Sequence, residues 1–337
     1  MENKIFFAAG LGSTGSSALI DLLKEVDGFY SMHDEFRLFV DPGGLINLRD
    51  ALVENWSVFQ TDMAIRNFIK LVSSVNKKNI LGPYSSLNFS SYFGDQLKLE
   101  LDVFINNICE LQFRGVWYGI DSTFTRRLNK YAKLRKSKFG SRKMYVGKQL
   151  SDDEFSVYVN DFIGKLVDST LEKNNKNYFC FNENLSCMFP NKILNMLPDS
   201  KIILVVRDPK DVYVDSLRVN WAAIPEDPDE FIKWQILVYK GWMKVQEKFS
   251  NIPNSEKFLK VIKFEDLIEN HAATAQEVFE FLGISEDLHI NKGKYLKPEN
   301  SIKNISQWQG KLSRDVVNKF DKELDFFYSY YNYSKGK

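Results

Sequence analysis

The chain of 337 residues carries 44% hydrophobic and 26% charged residues, the balance of a folded globular protein and not of a disordered one. Its formal charge of +1 supplies no net field for nucleic acid or for membranes, so an electrostatic signal has to come from local clusters. Three cysteines, Cys109, Cys180 and Cys187, are too few and too scattered for a disulfide framework or a structural zinc site, and they read as reduced thiols.

In chain order, Ile5-Phe6-Phe7-Ala8-Ala9 is a short unbroken apolar run, as expected of a parallel strand buried on both faces. Gly10 to Gly15 forms a turn, and Leu19, Leu22, Leu23 and Val26 then share one helical face. Residues 28–56 read as loop with a short helix, turning at Asp41-Pro42-Gly43-Gly44. Apolar spacing is helical over Val58–Val75 and Gln96–Leu111, and residues 123–175 are mostly helix formers with many charges. Strands are expected again over Tyr178–Phe181, Lys201–Val206 and Phe258–Lys263. Helices are expected over Pro190–Leu197, from Asp211 onward, over Ala272–Leu282 closed by Gly283, and over about 313–330. Strands separated by helices predict a three-layer α/β fold with a parallel sheet. The expected organisation is one domain over 1–337, with 58–175 as a helical insertion over the carboxyl ends of the strands, a lid or acceptor region. No window reaches about 18 unbroken apolar residues, the length of a spanning helix. The first residues lack the regions of a secretory signal, which gives a cytoplasmic expectation.

Two stretches carry chemistry. Gly10-Leu11-Gly12-Ser13-Thr14-Gly15-Ser16-Ser17, set between strand and helix, has the layout of a phosphate-binding loop. Glycines let backbone N–H groups converge on an anion, and Ser13, Thr14, Ser16 and Ser17 add hydroxyl donors. The spacing is that of a nucleoside-triphosphate loop, but Ser16 stands where the phosphate-gripping lysine would be. The second stretch is Arg207-Asp208-Pro209-Lys210-Asp211, which ends the most apolar strand and leads into a helix carrying Ser216. A guanidinium at a strand's carboxyl end suits bidentate phosphate binding, unless Asp208 or Asp211 pairs with it.

Two anion sites at the ends of two strands suggest a nucleotide phosphorylated at two places. The chain resembles the sulfotransferase superfamily that uses 3′-phosphoadenylyl sulfate (PAPS). Gly15-Ser16-Ser17 is similar to that family's loop for the 5′-phosphosulfate, Gly12 to Ser17 included, and Arg207…Ser216 to its 3′-phosphate motif. Lys263-Phe264-Glu265-Asp266-Leu267 with Phe281-Leu282-Gly283, and Ile305-Ser306-Gln307-Trp308, resemble two further family segments. The resemblance covers 1–40 and about 176–333. It implies a P-loop-like α/β fold and a sulfuryl transfer from PAPS that leaves adenosine 3′,5′-bisphosphate and needs no metal. Two departures stand out. Ser13 occupies the place of the family's basic residue, and the family's serine position falls on Asp215, one residue before Ser216.

Such a transfer needs a base for the acceptor proton. Glu35-Phe36-Arg37 is similar to the family's acidic segment, so Glu35 is the expected base, His33 the second candidate, and Arg37 an acceptor clamp. Glu183 is expected as another carboxylate on the acceptor side. Ten Lys and Arg and no acidic residue lie between Asp121 and Asp152, a local positive field. That field could hold PAPS phosphates, an anionic glycan or an anionic membrane surface. Little aromatic interleaving accompanies it, which argues against nucleic acid. The acceptor is expected to be a small molecule, carbohydrate or lipid hydroxyl, or an amine. A small-molecule or sugar kinase, and a nucleotide- or glycan-binding module without catalysis, are the alternative readings.

Overall fold

The computed structural model describes residues 4–78, 83–117, 127, 130, 141–219 and 224–333. The chain divides into two compact units. One comprises 1–36, 171–194 and 198–337, and the other 37–170 with 195–197.

The first unit is built on a five-stranded parallel sheet. Its strands are β1 Ile5–Ala9, β2 Phe29–Glu35, β5 Tyr178–Asn182, β6 Ser200–Val206 and β7 Leu259–Lys263, in the spatial order β2-β5-β1-β6-β7. β1 sits in the middle. Phe7 is level with Phe181 of β5 on one side and with Ile202 of β6 on the other. Both faces of β1 are covered, which explains its unbroken apolar sequence: all five residues are buried. On one face Phe6 and Ala8 join Leu19, Leu22 and Leu23 of the first helix, Ser16–Lys24, together with Val278 and Phe279 of the helix His271–Leu282. On the other, Phe7 stacks on Phe181, with ring centroids 5.3 Å apart. Each such fully buried aliphatic or aromatic side chain contributes about 1.5–3 kcal/mol.

The strand order decides where the site lies. Because β1 has β5 and β6 as neighbours, the segments leaving all three strands emerge side by side at one edge. These are the Gly10–Gly15 turn, Asn182–Asn184 and Arg207–Asp208. Ligands bind at that edge in open α/β sheets.

The expected parallel sheet, with helices between its strands, is what the chain forms. Three elements differ from the sequence-based expectation. The stretch after the first helix, read as loop, contains β2. It is an edge strand with only Phe29 and Met32 buried, so Phe29-Tyr-Ser-Met-His-Asp-Glu35 lacks the apolar run that marks a central strand. A long helix over Pro228–Ser250, capped by the Asp227 side chain, stands between β6 and β7. The final helix is two, Arg314–Glu323 and Asp325–Tyr330, broken at Leu324.

The second unit packs the helices Val58–Asn76, Gln96–Ile108 and Asp152–Asn174, and its core includes the rings of Phe68, Phe104 and Phe162. Phe104 stacks on Phe162 at 5.0 Å. Within the stretch expected to be helical, β3 Cys109–Gly115 and β4 Arg142–Gly147 form a two-stranded antiparallel sheet. Asp62 explains how this pair is held, since its carboxylate is fully buried and accepts the Tyr145 N–H at 2.9 Å. Arg142 Nη1 lies 2.9 Å from the same carboxylate, so one of the ten clustered cations serves the fold. Of the others, Arg126, Lys133, Arg135, Lys136 and Lys138 lie outside the described residues. Among the described residues no helix is long and apolar enough to cross a membrane. All three cysteines are unpaired and buried, and burial pushes the Cys109 and Cys180 thiols up to about 11 and 12.

Candidate active site

The loop after β1 is shaped by its glycines and by one strained serine. Gly15 caps the first helix in a left-handed conformation with φ 99°, and a Cβ there would meet Phe264 Cδ2 at 2.3 Å. Only glycine fits. Ser13 is itself left-handed, with φ 65°, which turns its carbonyl toward Arg207. Thr14 is buried and donates from Oγ1 to the Leu11 carbonyl, so its hydroxyl braces the turn. No side chain caps the first helix. Its leading N–H groups and positive dipole end are therefore presented at the loop, the arrangement that draws an anion.

Arg207 follows β6 and is 3% exposed. Its Nη1 donates to the Ser13 carbonyl at 2.7 Å and approaches Asp215 Oδ2 at 3.3 Å, and its Nη2 donates to the Asn304 carbonyl at 2.7 Å. The guanidinium lies over the Phe264 ring, 4.8 Å from the centroid. Its Nε is buried and has no partner. Asp208 and Asp211, the partners considered for it in the sequence, are engaged elsewhere. Asp208 accepts the Lys210 N–H, and Asp211 takes the N–H groups of Ser306 and Trp308. Burial and the neighbouring Asp208 charge push Asp211 up to about 6.

Arg207, Ser13, Gly15, Ser16 and Ser17 all line one cavity of about 370 Å³, with Phe264 and the segment Tyr295–Asn304 making up much of the remaining wall. Ser216 is not on that wall. It is buried in the helix Pro209–Arg218 and donates to the Tyr213 carbonyl at 2.7 Å, whereas Asp215, one position earlier, lines the cavity. One residue turns a helical side chain by about 100°, and here that rotation selects Asp215 over Ser216. Gly12 belongs to the turn but does not line the cavity.

Asn184 joins the loop to the expected base. Its carbonyl accepts the Gly10 N–H, its Oδ1 is 3.4 Å from Ser16 Oγ, and its Nδ2 donates to Glu35 Oε1. Glu35 at the end of β2 is thereby tied to the residue that opens the first helix. His33 contributes its carbonyl to Asn182 Nδ2 at 3.0 Å, while its side chain is exposed. Glu183 is buried beside β1, with its N–H donating to the Ala8 carbonyl. Arg37 lies in the second unit, where it pairs with Asp41 at 3.4 Å.

Two supports went unread in the sequence. Glu265 accepts the Asp208 N–H at 2.9 Å and the Tyr333 hydroxyl at 2.8 Å, so it braces the turn that carries Arg207. Burial pushes its carboxyl up to about 7, against the lowering effect of those bonds. Glu25, fully buried at the end of the first helix, accepts the N–H groups of Tyr295 and Leu296 at 2.9 and 2.8 Å and faces His289 Nε2 at 2.9 Å. It fixes the segment that enters the cavity wall. Glu25 stands in ordinary helical surroundings that nothing in spacing or composition marks, whereas Glu265 falls in the family-like segment Lys263–Leu267, whose resemblance gave it no role.

Residues 186–326 match the sulfotransferase domain family. That stretch contains Arg207, Glu265 and Trp308 but not the Gly10–Ser17 loop. A 3-alpha-hydroxysteroid sulfotransferase of Cavia porcellus is 26% identical over 109 residues, 30% of this chain and 34% of that protein. The match thus spans about a third of the curated relative. Among solved structures, a sulfotransferase from Alicyclobacillus acidocaldarius aligns over 99% of this chain and 97% of its own, at 12% identity and a TM-score of 0.43. One from Mycobacterium avium aligns over 100% and 79%, at 11% identity and a TM-score of 0.44. The domain match thus falls on the strand and arginine that build the cavity, and over that stretch the chain is similar to the sulfotransferase domain family.

Proposed function

We propose that this protein transfers a sulfuryl group from PAPS to a hydroxyl or amine, on a carbohydrate or lipid acceptor, in a cytoplasmic setting. The observation that carries the reading is the convergence of three features at one sheet edge. They are an uncapped helix start, a buried arginine with an unpartnered Nε, and a carboxylate tied to the same loop through Asn184. These residues fit an anionic nucleotide. N–H groups at the start of the first helix, with the Ser16 and Ser17 hydroxyls, would hold the 5′-phosphosulfate end, and Arg207 a second phosphate.

PAPS, when bound, supplies the sulfuryl group. The chain's own residues do the rest. The first helix directs its positive end, and the loop its backbone N–H groups, at charge that grows on the leaving phosphate. The loop has no cation at Ser13, and among the described residues the cations on the cavity wall are Arg207 and Lys297. Glu35 takes up the acceptor proton on its carboxylate, and the Asn184 amide donates to Oε1 and holds that carboxylate in position. Without this orientation the acceptor oxygen would need an independent encounter with a base.

Calorimetry with adenosine 3′,5′-bisphosphate and with ATP–Mg tests the nucleotide half of the reading. Binding of ATP–Mg without binding of the bisphosphate would sink it in favour of a kinase. Transfer of labelled sulfate from PAPS to a panel of glycans, lipids and small alcohols tests the chemical half. Bisphosphate binding with no transfer to any class would leave a binding module.

A further inference from the structure

Trp56, in the second unit, has its polar edge fixed and much of its ring left uncovered. Its Nε1 donates to the Gly147 carbonyl at 2.9 Å, yet the residue is 38% exposed. The N–H is the only polar group of an indole, so with it bonded inward the exposed remainder is apolar. Gly147, which ends β4, is a firm anchor. Its N–H donates to Thr61 Oγ1 at 3.2 Å, and a Cβ there would collide with Leu52 Cδ2.

Trp56 lines a cavity of about 360 Å³, within the span of about 300–1,000 Å³ usual for small-ligand sites. Tyr158 adds a second ring to the wall, and Glu110, Lys148, Gln149 and Glu154 supply charged and amide groups. The backbone beneath them is held. The Lys148 N–H donates to the Ile108 carbonyl at 2.9 Å, and the Leu150 N–H to the Leu52 carbonyl at 3.1 Å. Ser151 and Glu154 accept each other's N–H groups, at 2.8 Å on Glu154 Oε2 and 3.2 Å on Ser151 Oγ, which fixes the start of the next helix. The wall is thus preorganised, which lowers the cost of binding.

The chemistry of this lining selects its ligand. A wholly apolar molecule would strip water from Glu110 and Lys148 and offer nothing in return. An anion would face two carboxylates against one ammonium among the described residues. A cation would compete with Lys148, whose Nζ already lies 5.7 Å from the Tyr158 ring centroid. A neutral sugar meets each demand. The C–H face of a pyranose lies flat on an aromatic ring, and its peripheral hydroxyls both donate and accept, as the carboxylates, ammonium and amide require.

We propose that this cavity binds a neutral carbohydrate, with Trp56 as the stacking platform and Glu110, Lys148 and Gln149 as hydroxyl partners. Every lining residue belongs to the second unit, so the proposal goes beyond the transfer reading and does not depend on it.

Calorimetry on the full chain without nucleotide, against tetramers of glucose, galactose and N-acetylglucosamine, tests the proposal. At least one neutral tetramer should bind, and its sulfated counterpart at least about tenfold more weakly, a difference of about 1.4 kcal/mol. Trp56→Ala and Glu110→Ala should each weaken the neutral sugar by about tenfold or more. Melting temperatures check the folding of both variants. Glu110 is exposed, so its variant keeps the test decisive if loss of the Trp56–Gly147 bond unfolds the other. Affinity for adenosine 3′,5′-bisphosphate should match the wild type in both, so the sugar site and the nucleotide reading can fail separately. The proposal is overturned if no neutral tetramer binds, or if the sulfated form binds more tightly. Full sugar affinity in Glu110→Ala, or in a folded Trp56→Ala, would overturn it as well.

Discussion

Gly15→Ala tests whether the loop and the Arg207 site are one structure. At φ 99° and ψ 16°, Gly15 lies in a region where an L-residue is strained, which costs roughly 1–2 kcal/mol for alanine. The added methyl would also lie 2.3 Å from Phe264 Cδ2, 3.0 Å from Cγ and 3.2 Å from Cε2. Ordinary carbon–carbon contact needs about 3.5–4 Å, so the ring must move by more than 1 Å. Phe264 is itself buried, with the Arg207 guanidinium on its face. Overpacking of this kind costs about 1–3 kcal/mol, and the loosened cation–π contact about 0.5–2 more. The total is about 2.5–7 kcal/mol, divided between stability and nucleotide affinity. Urea unfolding of the free protein and calorimetry with the bisphosphate measure the two shares. The double-mutant cycle with Phe264→Ala supplies the refutation. If the clash is the cause, the cost of Gly15→Ala in the Phe264→Ala background falls to the backbone share of roughly 1–2 kcal/mol. An equal cost in both backgrounds, or a Gly15→Ala protein with wild-type midpoint and affinity, would refute the coupling.

Glu35→Gln should lower kcat by about 10²–10⁴ with little change in nucleotide affinity, if Glu35 accepts the acceptor proton; steady-state kinetics beside calorimetry separate the two. Burial acts to raise the Glu25 pKa, but the bonds from His289, Tyr295 and Leu296 outweigh it, and the group lies below its ordinary 4.5. Its stabilisation is thus complete above about pH 4.5 and is lost as pH falls through the lower folded value, so acid unfolding should weaken its slope in Glu25→Gln. That substitution should also cost about 3 kcal/mol near neutral pH by breaking the buried pair. Glu265 has the opposite sign. Burial raises it to about 7, so the folded state holds a proton that the unfolded chain has released, and stability falls as pH rises from about 4.5 to 7. Asp211, raised to about 6, contributes to the lower part of that window. Between pH 6 and 7 the slope should therefore be reduced in Glu265→Gln, by up to about 1.4 kcal/mol per pH unit, and urea midpoints across that range measure it.

What the sequence disclosed follows burial and local chemistry. β1, β5 and β6 are covered on both faces and announce themselves as apolar runs, whereas β2 is an edge strand of mixed polarity and β3 and β4 belong to a separate hairpin. Gly15 and Arg207 are visible because a special conformation and a charged group at a strand end are local facts. Asp215 and Ser216 show where a local pattern fails. Asp215 holds the motif's position and Ser216 its residue type, and the helix's rotation decides which meets the cavity. Asn184, Glu25 and Glu265 work through partners 149, 264 and 57 residues away in the chain, and no window of sequence contains both halves of those bonds.

Those long-range bonds share a consequence for how the cavity holds its shape. The loop after β1 makes few bonds within itself, chiefly the Thr14 pair to the Leu11 carbonyl. Its other ties run outward. Gly10 reaches Asn184 after β5, the Ser13 carbonyl reaches Arg207 after β6, and Gly15 lies against Phe264 after β7. Glu265, next to Phe264, then returns to Asp208, next to Arg207. The segments following four adjacent strands thus restrain one another in a closed circuit. Such a circuit positions an anion site more narrowly than a loop fixed by its own turns, because movement of any member must displace at least two others. It also places the burden of preorganisation on Asn184, Phe264 and Glu265. The loop hydroxyls of Ser16 and Ser17, which a motif reading puts first, carry less of it.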